Sequence, residues 1–416
     1  MTLIHSDTEF APGRFRERFR MPNAATGSDG IYFCGNSLGP QPVAAAEAVE
    51  AELERWGQMA VTGHFDGPMP WVPYHTLATD GLAMLTGAQP KEVVAMNALT
   101  INLHLMLTSF YQPTPNRGKI VMEQGAFPSD RHAVESQIRL HGLDPASQLI
   151  EIAPREDRLH HEADVEHYLE RHGDEVALVL WPGVQYATGQ AFDLARLARA
   201  TRRAETTLGV DLAHAIGNIE LNLHDDDIDF AIWCHYKYLN SGPGSVGGAY
   251  VHTRHHPFDG PRLAGWWGHE PASRFQMAPE HRPAHGVEGW QVSGPPILST
   301  APLVASLALF QEADMGRLRQ ASLALTGRLA KGLEATVGDE IDIITPREPH
   351  RHGAQLSFRA KRGRKAGRQL FERLVGHGVI GDWREPDIIR MAPAPLYNTF
   401  DEVDRFVALV DALIRA

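Results

Sequence analysis

Through the middle of the chain, short apolar bursts rich in β-branched and aromatic residues alternate with stretches of helical periodicity, and this alternation limits the fold more than any other feature. The bursts are KIVME (119–123), EVALVLW (175–181), TLGVDL (207–212), DFAIWC (229–234) and GAYVHT (248–253), each of strand length. Between them lie segments such as 192–205, where Leu194, Leu197, Ala198 and Ala204 recur near a helical period. Repetition of this kind builds an α/β domain around a mainly parallel sheet covered on both faces. After residue 306 the character changes: 318–333 reads as a long helix, IDIITP (341–346) as a strand, and 402–416 as a closing amphipathic helix. The expected division is therefore an N-terminal arm with helices joining the small domain (1–60), a large α/β domain (61–305) and a small α+β domain (306–416). The first 20 residues are polar and poorly periodic, which predicts an arm or a short helix.

Composition narrows the partners. The 416 residues carry 51 acidic against 39 basic side chains, a formal charge of -12 that repels phosphate backbones and anionic lipid surfaces. With 43% hydrophobic and 22% charged residues the chain is an ordinary water-soluble globular protein, and no apolar run reaches membrane-spanning length. Cys34 and Cys234 are too few for a disulfide framework or a thiolate zinc cage. The N-terminal MTLIHSDTEF has acidic residues and no apolar core, so a cytoplasmic protein without a secretory signal is expected.

Three motif matches fail on context. Gly35–Gly39 fits G-x-S-x-G, but Pro40 and Pro42 follow where a nucleophile elbow runs straight into a helix, so the stretch reads as a glycine turn before a helix starting near Pro42. Gly242, Gly244 and Gly247 fit G-x-G-x-x-G, yet a strand follows them and no helix N-terminus stands ready for a pyrophosphate. Among 22 histidines, the i, i+4 pair His281 and His285 has Pro283 between its members, which disrupts the helix that would align two metal ligands. No metal site is expected. The basic run from Arg359 to Arg368 reads as a solvated face.

The chemistry concentrates between Gly209 and Gly248. Asp211 closes one apolar strand with His214 three residues on, and Lys237 follows another, flanked by Tyr236 and Tyr238 and backed by a glycine-rich turn. Strand C-termini are where α/β sheets build their sites. An amine for a Schiff base and an acid to hold a pyridinium nitrogen are what pyridoxal 5'-phosphate (PLP) chemistry requires. Taken singly, each has a plainer reading: Asp211 as a cap before Ala213, Lys237 as a snorkelling surface lysine.

At this point the chain resembles the kynureninases, fold type I PLP enzymes of the aspartate aminotransferase superfamily. The matching stretches are YFCGNSLGP (32–40), NALTINLHL (97–105), AFPSDRHAVESQI (126–138), GVQYATGQ (183–190), DLAHAIGN (211–218), YKYLNSGPG (236–244), GWWGHE (265–270), SGPPIL (293–298), ITPRE (344–348) and GVIGDWREPDIIRMAPAPLYN (378–398), in family order. The resemblance implies a three-layer fold with a mainly parallel seven-stranded sheet. It also implies a homodimer with shared active sites, and hydrolytic Cβ–Cγ cleavage of L-kynurenine or 3-hydroxykynurenine to L-alanine plus anthranilate or 3-hydroxyanthranilate. By the same resemblance Lys237 binds PLP covalently, Asp211 pairs with the ring nitrogen with His214 close by, and Phe127 stacks on the ring. Leu99, Thr100, Ser129 and Tyr236 hold the phosphate, Asp130 lies in the same turn, and Trp266 and Gly294 reach it across the dimer. Arg390 clamps the substrate carboxylate, Ser37 and His64 contact the aromatic end, and Tyr236 relays protons. The pathway role implied is tryptophan breakdown or pyridine nucleotide synthesis.

Two positions depart from the family pattern. Gly294 stands where relatives carry Asn or Thr, leaving only its backbone amide, and Pro182 stands where they carry Ser or Thr. The alternatives are a cysteine desulfurase-like lyase, which needs a nucleophilic cysteine on a small-domain loop, and a non-catalytic PLP-binding homologue.

Overall fold

A computed structural model describes residues 11–22 and 30–415, so the arm expected at the N-terminus lies partly outside the described residues. Its visible part is a single 3-10 turn, Arg16–Arg18, followed by a two-residue strand, Phe19–Arg20. Phe15 and Phe19 are buried, and the amides of Gly13 and Phe15 donate to the carbonyls of Pro395 and Leu396, which ties this segment to the far end of the chain.

The large sheet has seven strands: β1 (Val93–Ala95), β2 (Lys119–Glu123), β3 (Leu149–Ile152), β4 (Val176–Pro182), β5 (Thr207–Asp211), β6 (Phe230–Cys234) and β7 (Gly247–Val251). Their order is β1-β7-β6-β5-β4-β2-β3; β7 is antiparallel to both neighbours and every other pairing is parallel. Five expected strands are present with small shifts at their ends. GAYVHT stops at Val251 because His252 turns its Nδ1 to accept the Arg254 amide at 2.9 Å, opening a 3-10 turn.

The two-residue alternation of a strand divides the interior into two cores. Along β6, Ala231 and Trp233 face one core while Phe230 and Ile232 face the other. Both faces are dry, which is why these strands read as unbroken apolar runs. The covering helices include α1 (Val43–Met59), α2 (Thr79–Thr86), α3 (Leu99–Phe110), α4 (Pro128–Leu140), α5 (Glu162–His172) and α6 (Leu194–Arg203). In α6 the expected face is the buried one, through Leu194, Leu197 and Ala198, and Asp193 caps it by accepting the Arg196 amide at 2.8 Å.

Helices α7 (Ile297–Ala313) and α8 (Met315–Val337) lead into a four-stranded antiparallel sheet. Its strands are β8 (Ile341–Ile343), β9 (Leu356–Ala360), β10 (Asp382–Arg384) and β11 (Ile388–Met391), in the order β8-β9-β11-β10. Leu325, Leu329 and Leu333 of α8 pack there with α9 (Arg364–Gly376) and α10 (Phe400–Arg415). Ile31 and Phe33 from the N-terminal region join this third core, and Ile31–Tyr32 pairs in parallel with Val379–Ile380. Members of the basic run are paired along exposed edges, Arg362 with Glu340 and Arg364 with Glu385. Among the described residues no helix is long and apolar enough to cross a membrane.

One group of side chains among the described residues has metal-ligand spacing, Glu92, His224 and His252, but its ligand atoms are already engaged. The buried Glu92 carboxylate accepts from the Gln89 and Thr253 amides at 2.8 and 2.7 Å and from His224 Nδ1 at 2.9 Å. Burial by itself raises the Glu92 acid, and these donors outweigh it, holding the group below its ordinary 4.5. The knot fastens the start of β1 to the end of β7. Because the folded-state value is depressed, its stabilisation is complete above the ordinary carboxylate range and is lost as pH falls through the folded value. Glu92→Ala is expected to cost about 2–4 kcal/mol near pH 7, with the difference from wild type shrinking toward about pH 4 in urea unfolding curves.

Candidate active site

The parallel strands deliver their C-terminal ends to one edge of the sheet, and a pocket opens there. β2 ends at Glu123, β5 at Asp211, and β6 leads two residues on to Tyr236 and Lys237. All four line the pocket. The Asp211 carboxylate accepts the Ala213 amide at 2.7 Å, so the capping role and the site role are held by one side chain. Lys237 sits in the turn after β6 with its Nζ 5.9 Å from the centre of the Phe127 ring. Phe127, 41% exposed, stands edge-on to Tyr186 with ring centres 5.3 Å apart.

Opposite the amine, two helices begin. Leu99 and Thr100 open α3, Ser129 and Asp130 lie in the first turn of α4, and all four line the pocket. Thr100 Oγ1 and Ser129 Oγ are 2.7 Å apart. Two helix N-termini and a pair of hydroxyls converging on one pocket are an arrangement that can hold an anion such as a phosphate without a full positive charge. Gly247 belongs to this construction. A Cβ there would lie 3.1 Å from the Leu99 nitrogen, so the absence of a side chain lets β7 pass against the start of α3. The sequence expectation that this glycine run has no helix N-terminus at hand is thus corrected, since the helix comes from a distant part of the chain.

Burial sets the protonation of the pocket. Asp130 is raised well above its ordinary value by desolvation, then by the neighbouring Asp211, while the Asp211 carboxyl, itself raised by burial, is drawn back by a hydrogen bond from Asp130 and by Lys237. Asp130 therefore keeps the proton and donates it toward a negative Asp211. Glu123, pushed up to about 8 by burial, accepts from Gln185 Nε2 at 3.2 Å while its other oxygen has no partner. His214 is lowered well below its usual range, first by burial and then by Lys237, which leaves a neutral imidazole against the site. The orphaned oxygens of Glu123 and Asp130 and the unpaired His214 Nδ1 mark a pocket shaped for polar groups that the protein does not itself supply.

Nine of the expected residues thus meet: Leu99, Thr100, Phe127, Ser129, Asp130, Asp211, His214, Tyr236 and Lys237. Arg390, on β11, does not line the pocket but donates through Nη1 to the carbonyl of Tyr186 in its wall, at 2.6 Å. Ser37 does not line the pocket either; it lies in a turn closed by its amide on the Cys34 carbonyl at 3.0 Å. His64, Trp266 and Gly294 do not enter this chain's pocket. They gather on an outer surface instead. His64 packs edge-on against Trp71 at 5.4 Å, its neighbour Phe65 meets Phe275 at 5.3 Å, and Phe275 meets Trp266 at 5.4 Å. Exposed Gly294 flanks Trp267, beside Trp266. Sequence reasoning missed Glu123, Tyr186 and Asp382. Glu123 closes an apolar strand as Asp211 does, and that signal was available.

With this geometry in place, comparison with known proteins decides the family. Kynureninase from Xanthomonas euvesicatoria pv. vesicatoria (strain 85-10) is 56% identical over 398 residues, covering 95% of this chain and 94% of that protein. The chain belongs to the kynureninase family. Kynureninase from Stenotrophomonas maltophilia (strain K279a) is likewise 56% identical over 95% of the chain, and the kynureninase C-terminal domain family matches residues 318–410. Among solved structures, a C-DES mutant with glycine covalently linked to its PLP cofactor superposes with a TM-score of 0.78 at 19% identity, covering 95% of this chain and 99% of that one. A cysteine desulfurase from Thermococcus onnurineus NA1 gives 0.77 at 18%, covering 97% and 99%. The kynureninase family chain thus has the expected α/β fold with a mainly parallel seven-stranded sheet.

Gly39 connects the N-terminal turn to the lysine. Its amide donates to the Tyr236 carbonyl at 2.8 Å, and a Cβ there would lie 2.5 Å from the Lys237 carbonyl oxygen and 2.8 Å from Asn240 Cα. Gly39→Ala is expected to cost about 1–3 kcal/mol in thermal unfolding and to lower covalent capture of PLP read by visible absorbance. Gly57→Ala in α1, where a Cβ meets nothing within 4 Å, is expected to gain up to about 1 kcal/mol with capture unchanged.

Proposed function

We propose that this member of the kynureninase family hydrolyses the Cβ–Cγ bond of L-kynurenine, its 3-hydroxy form or both, releasing L-alanine and the corresponding anthranilate, with PLP held on Lys237. The observation that carries this reading is the meeting in one pocket of a lysine, a proton-sharing acid pair and two helix N-termini. PLP, when bound, supplies an electron sink at the substrate's Cα.

The chain's own residues do the rest. Asp211 holds a negative charge against the ring nitrogen, kept single because Asp130 retains its proton. Thr100, Ser129 and the Leu99 amide bind the phosphate and so fix the ring's position. Phe127, which lines the pocket beside Lys237, would pack against the ring and shield it from water. The Lys237 amine would hold PLP and is the base placed to take the proton from Cα. Burial raises the Tyr236 phenol, followed by its contact with Cys234, so the hydroxyl keeps its proton at neutral pH and can deliver it as the γ-carbon is hydrated and the alanine fragment is reprotonated. Arg390 binds the substrate's α-carboxylate, a planar match that lysine lacks.

The surface carrying His64, Trp266 and Gly294 supports a homodimer in which a second copy brings these residues to the neighbouring pocket. Trp266 is 48% exposed and Phe275 47%, an apolar strip that a partner would cover. The reading places the enzyme in the cytoplasm, in tryptophan breakdown or pyridine nucleotide synthesis. A cysteine desulfurase reading is disfavoured because burial pushes the Cys34 thiol up to about 11 and Cys234 is buried in β6.

Borohydride reduction of the holoenzyme followed by peptide mapping is expected to place the cofactor on position 237, and a label elsewhere ends the assignment. Tyr236→Phe is expected to lower kcat by about 10²–10⁴-fold at neutral pH; an unchanged kcat removes the proton-relay role.

A further inference from the structure

Arg390 is 0% exposed, so each of its five N–H groups needs an acceptor or a reason to lack one. Nε donates to Asp382 Oδ1 at 3.2 Å and Nη1 donates to the Tyr186 carbonyl at 2.6 Å. Nη2 forms an ion pair with Asp382 Oδ2 at 2.6 Å, yet it is buried with no aligned hydrogen-bond acceptor. The side edge of the guanidinium, Nε and Nη2, is therefore turned to Asp382. At the end edge, Nη1 donates to the Tyr186 carbonyl and Nη2 has no aligned acceptor in the chain. A buried guanidinium nitrogen without an acceptor is costly, and it is the kind of atom a ligand carboxylate satisfies.

The placement of Asp382 comes from the sheet. Asp382 on β10 and Arg390 on β11 are directly opposed in the antiparallel register, so the carboxylate is fixed beside the fork by backbone pairing. Arg384, two residues along the same strand, reaches the same carboxylate with its Nε 3.0 Å from Oδ1. Two arginines and one aspartate leave a net positive charge, which suits one incoming carboxylate. The carbonyl that takes Nη1 belongs to Tyr186 in the pocket wall.

We propose that Asp382 is a positioning residue that holds the side edge of Arg390 and so presents its end edge to the α-carboxylate of the substrate. The inference rests on the assignment of that carboxylate to Arg390. It gives the chain a specificity element for amino acids over the corresponding amines.

The test compares two ligands on the holoenzyme: L-alanine, which carries the α-carboxylate, and the amine obtained by decarboxylating kynurenine, which does not. With Asp382→Asn the Kd for L-alanine, read from the visible absorbance change, is expected to rise about 10- to 100-fold, while that for the amine stays within about twofold. In turnover, KM for kynurenine is expected to rise by a similar factor while kcat falls by less than about threefold. Equal weakening of both ligands would mean a merely structural role and overturns the proposal, as does unchanged or tighter alanine binding. Arg390→Lys separates the two levels of the argument. If it leaves alanine affinity intact, the assignment of the carboxylate to Arg390 fails; if it abolishes affinity while Asp382→Asn does not, only the role of Asp382 fails. Should Asp382→Asn not fold, Asp382→Glu, which keeps the charge and moves it by one methylene, supplies the same comparison with the same outcomes.

Discussion

Crowding acidic groups at the end of a buried sheet is the constraint from which the site follows. Glu123, Asp130 and Asp211 all line one pocket, and three negative charges cannot be held there together. Burial and mutual repulsion keep protons on two of them, and the charge that survives settles on Asp211, where the Ala213 amide and the Asp130 hydroxyl support it. That arrangement is fixed by the chain's own burial and hydrogen bonds, which preorganises a single negative charge for the ring-nitrogen role proposed for Asp211. The neutral His214 beside it follows from the same desolvation.

Much of this was legible in the chain. Lys237 and Asp211 announced themselves because each follows an apolar run at a strand end, and the geometry of parallel sheets brings such ends to one edge. The phosphate cradle was harder to read from local pattern. Thr100 and Ser129 lie 29 residues apart and touch although β1 and β2, the strands that precede α3 and α4, have four other strands between them in the sheet, so only the folded loops bring the two helix starts together. Gly247 shows the same limit from the other side, for it reads as part of a failed dinucleotide motif until the distant start of α3 is placed against it. Resemblance to a family supplied the cradle residues where periodicity was silent.

Other residues stayed hidden for physical reasons. Asp382 and Arg390 are eight positions apart in a hairpin, and only the register reveals that they oppose each other. Tyr186 contributes a backbone carbonyl to the arginine, a role that no side-chain pattern encodes. His64 and Trp266 count as site residues by resemblance, yet in the folded chain they belong to an outer aromatic strip away from the pocket, a placement that only the tertiary structure reveals.

Arg390 rests on the antiparallel sheet, whereas Lys237, Asp211 and the phosphate cradle rest on the parallel one, and the bond from Arg390 to the Tyr186 carbonyl spans the two. The roles proposed for them, holding the substrate's carboxylate and holding the ring, would thereby be mounted on separate slabs. A shift of one slab against the other would move Arg390 relative to the pocket while leaving the acid pair and Lys237 in place on theirs. The shape that carries both slabs is shared with a chain only 19% identical, so it persists where most side chains have changed.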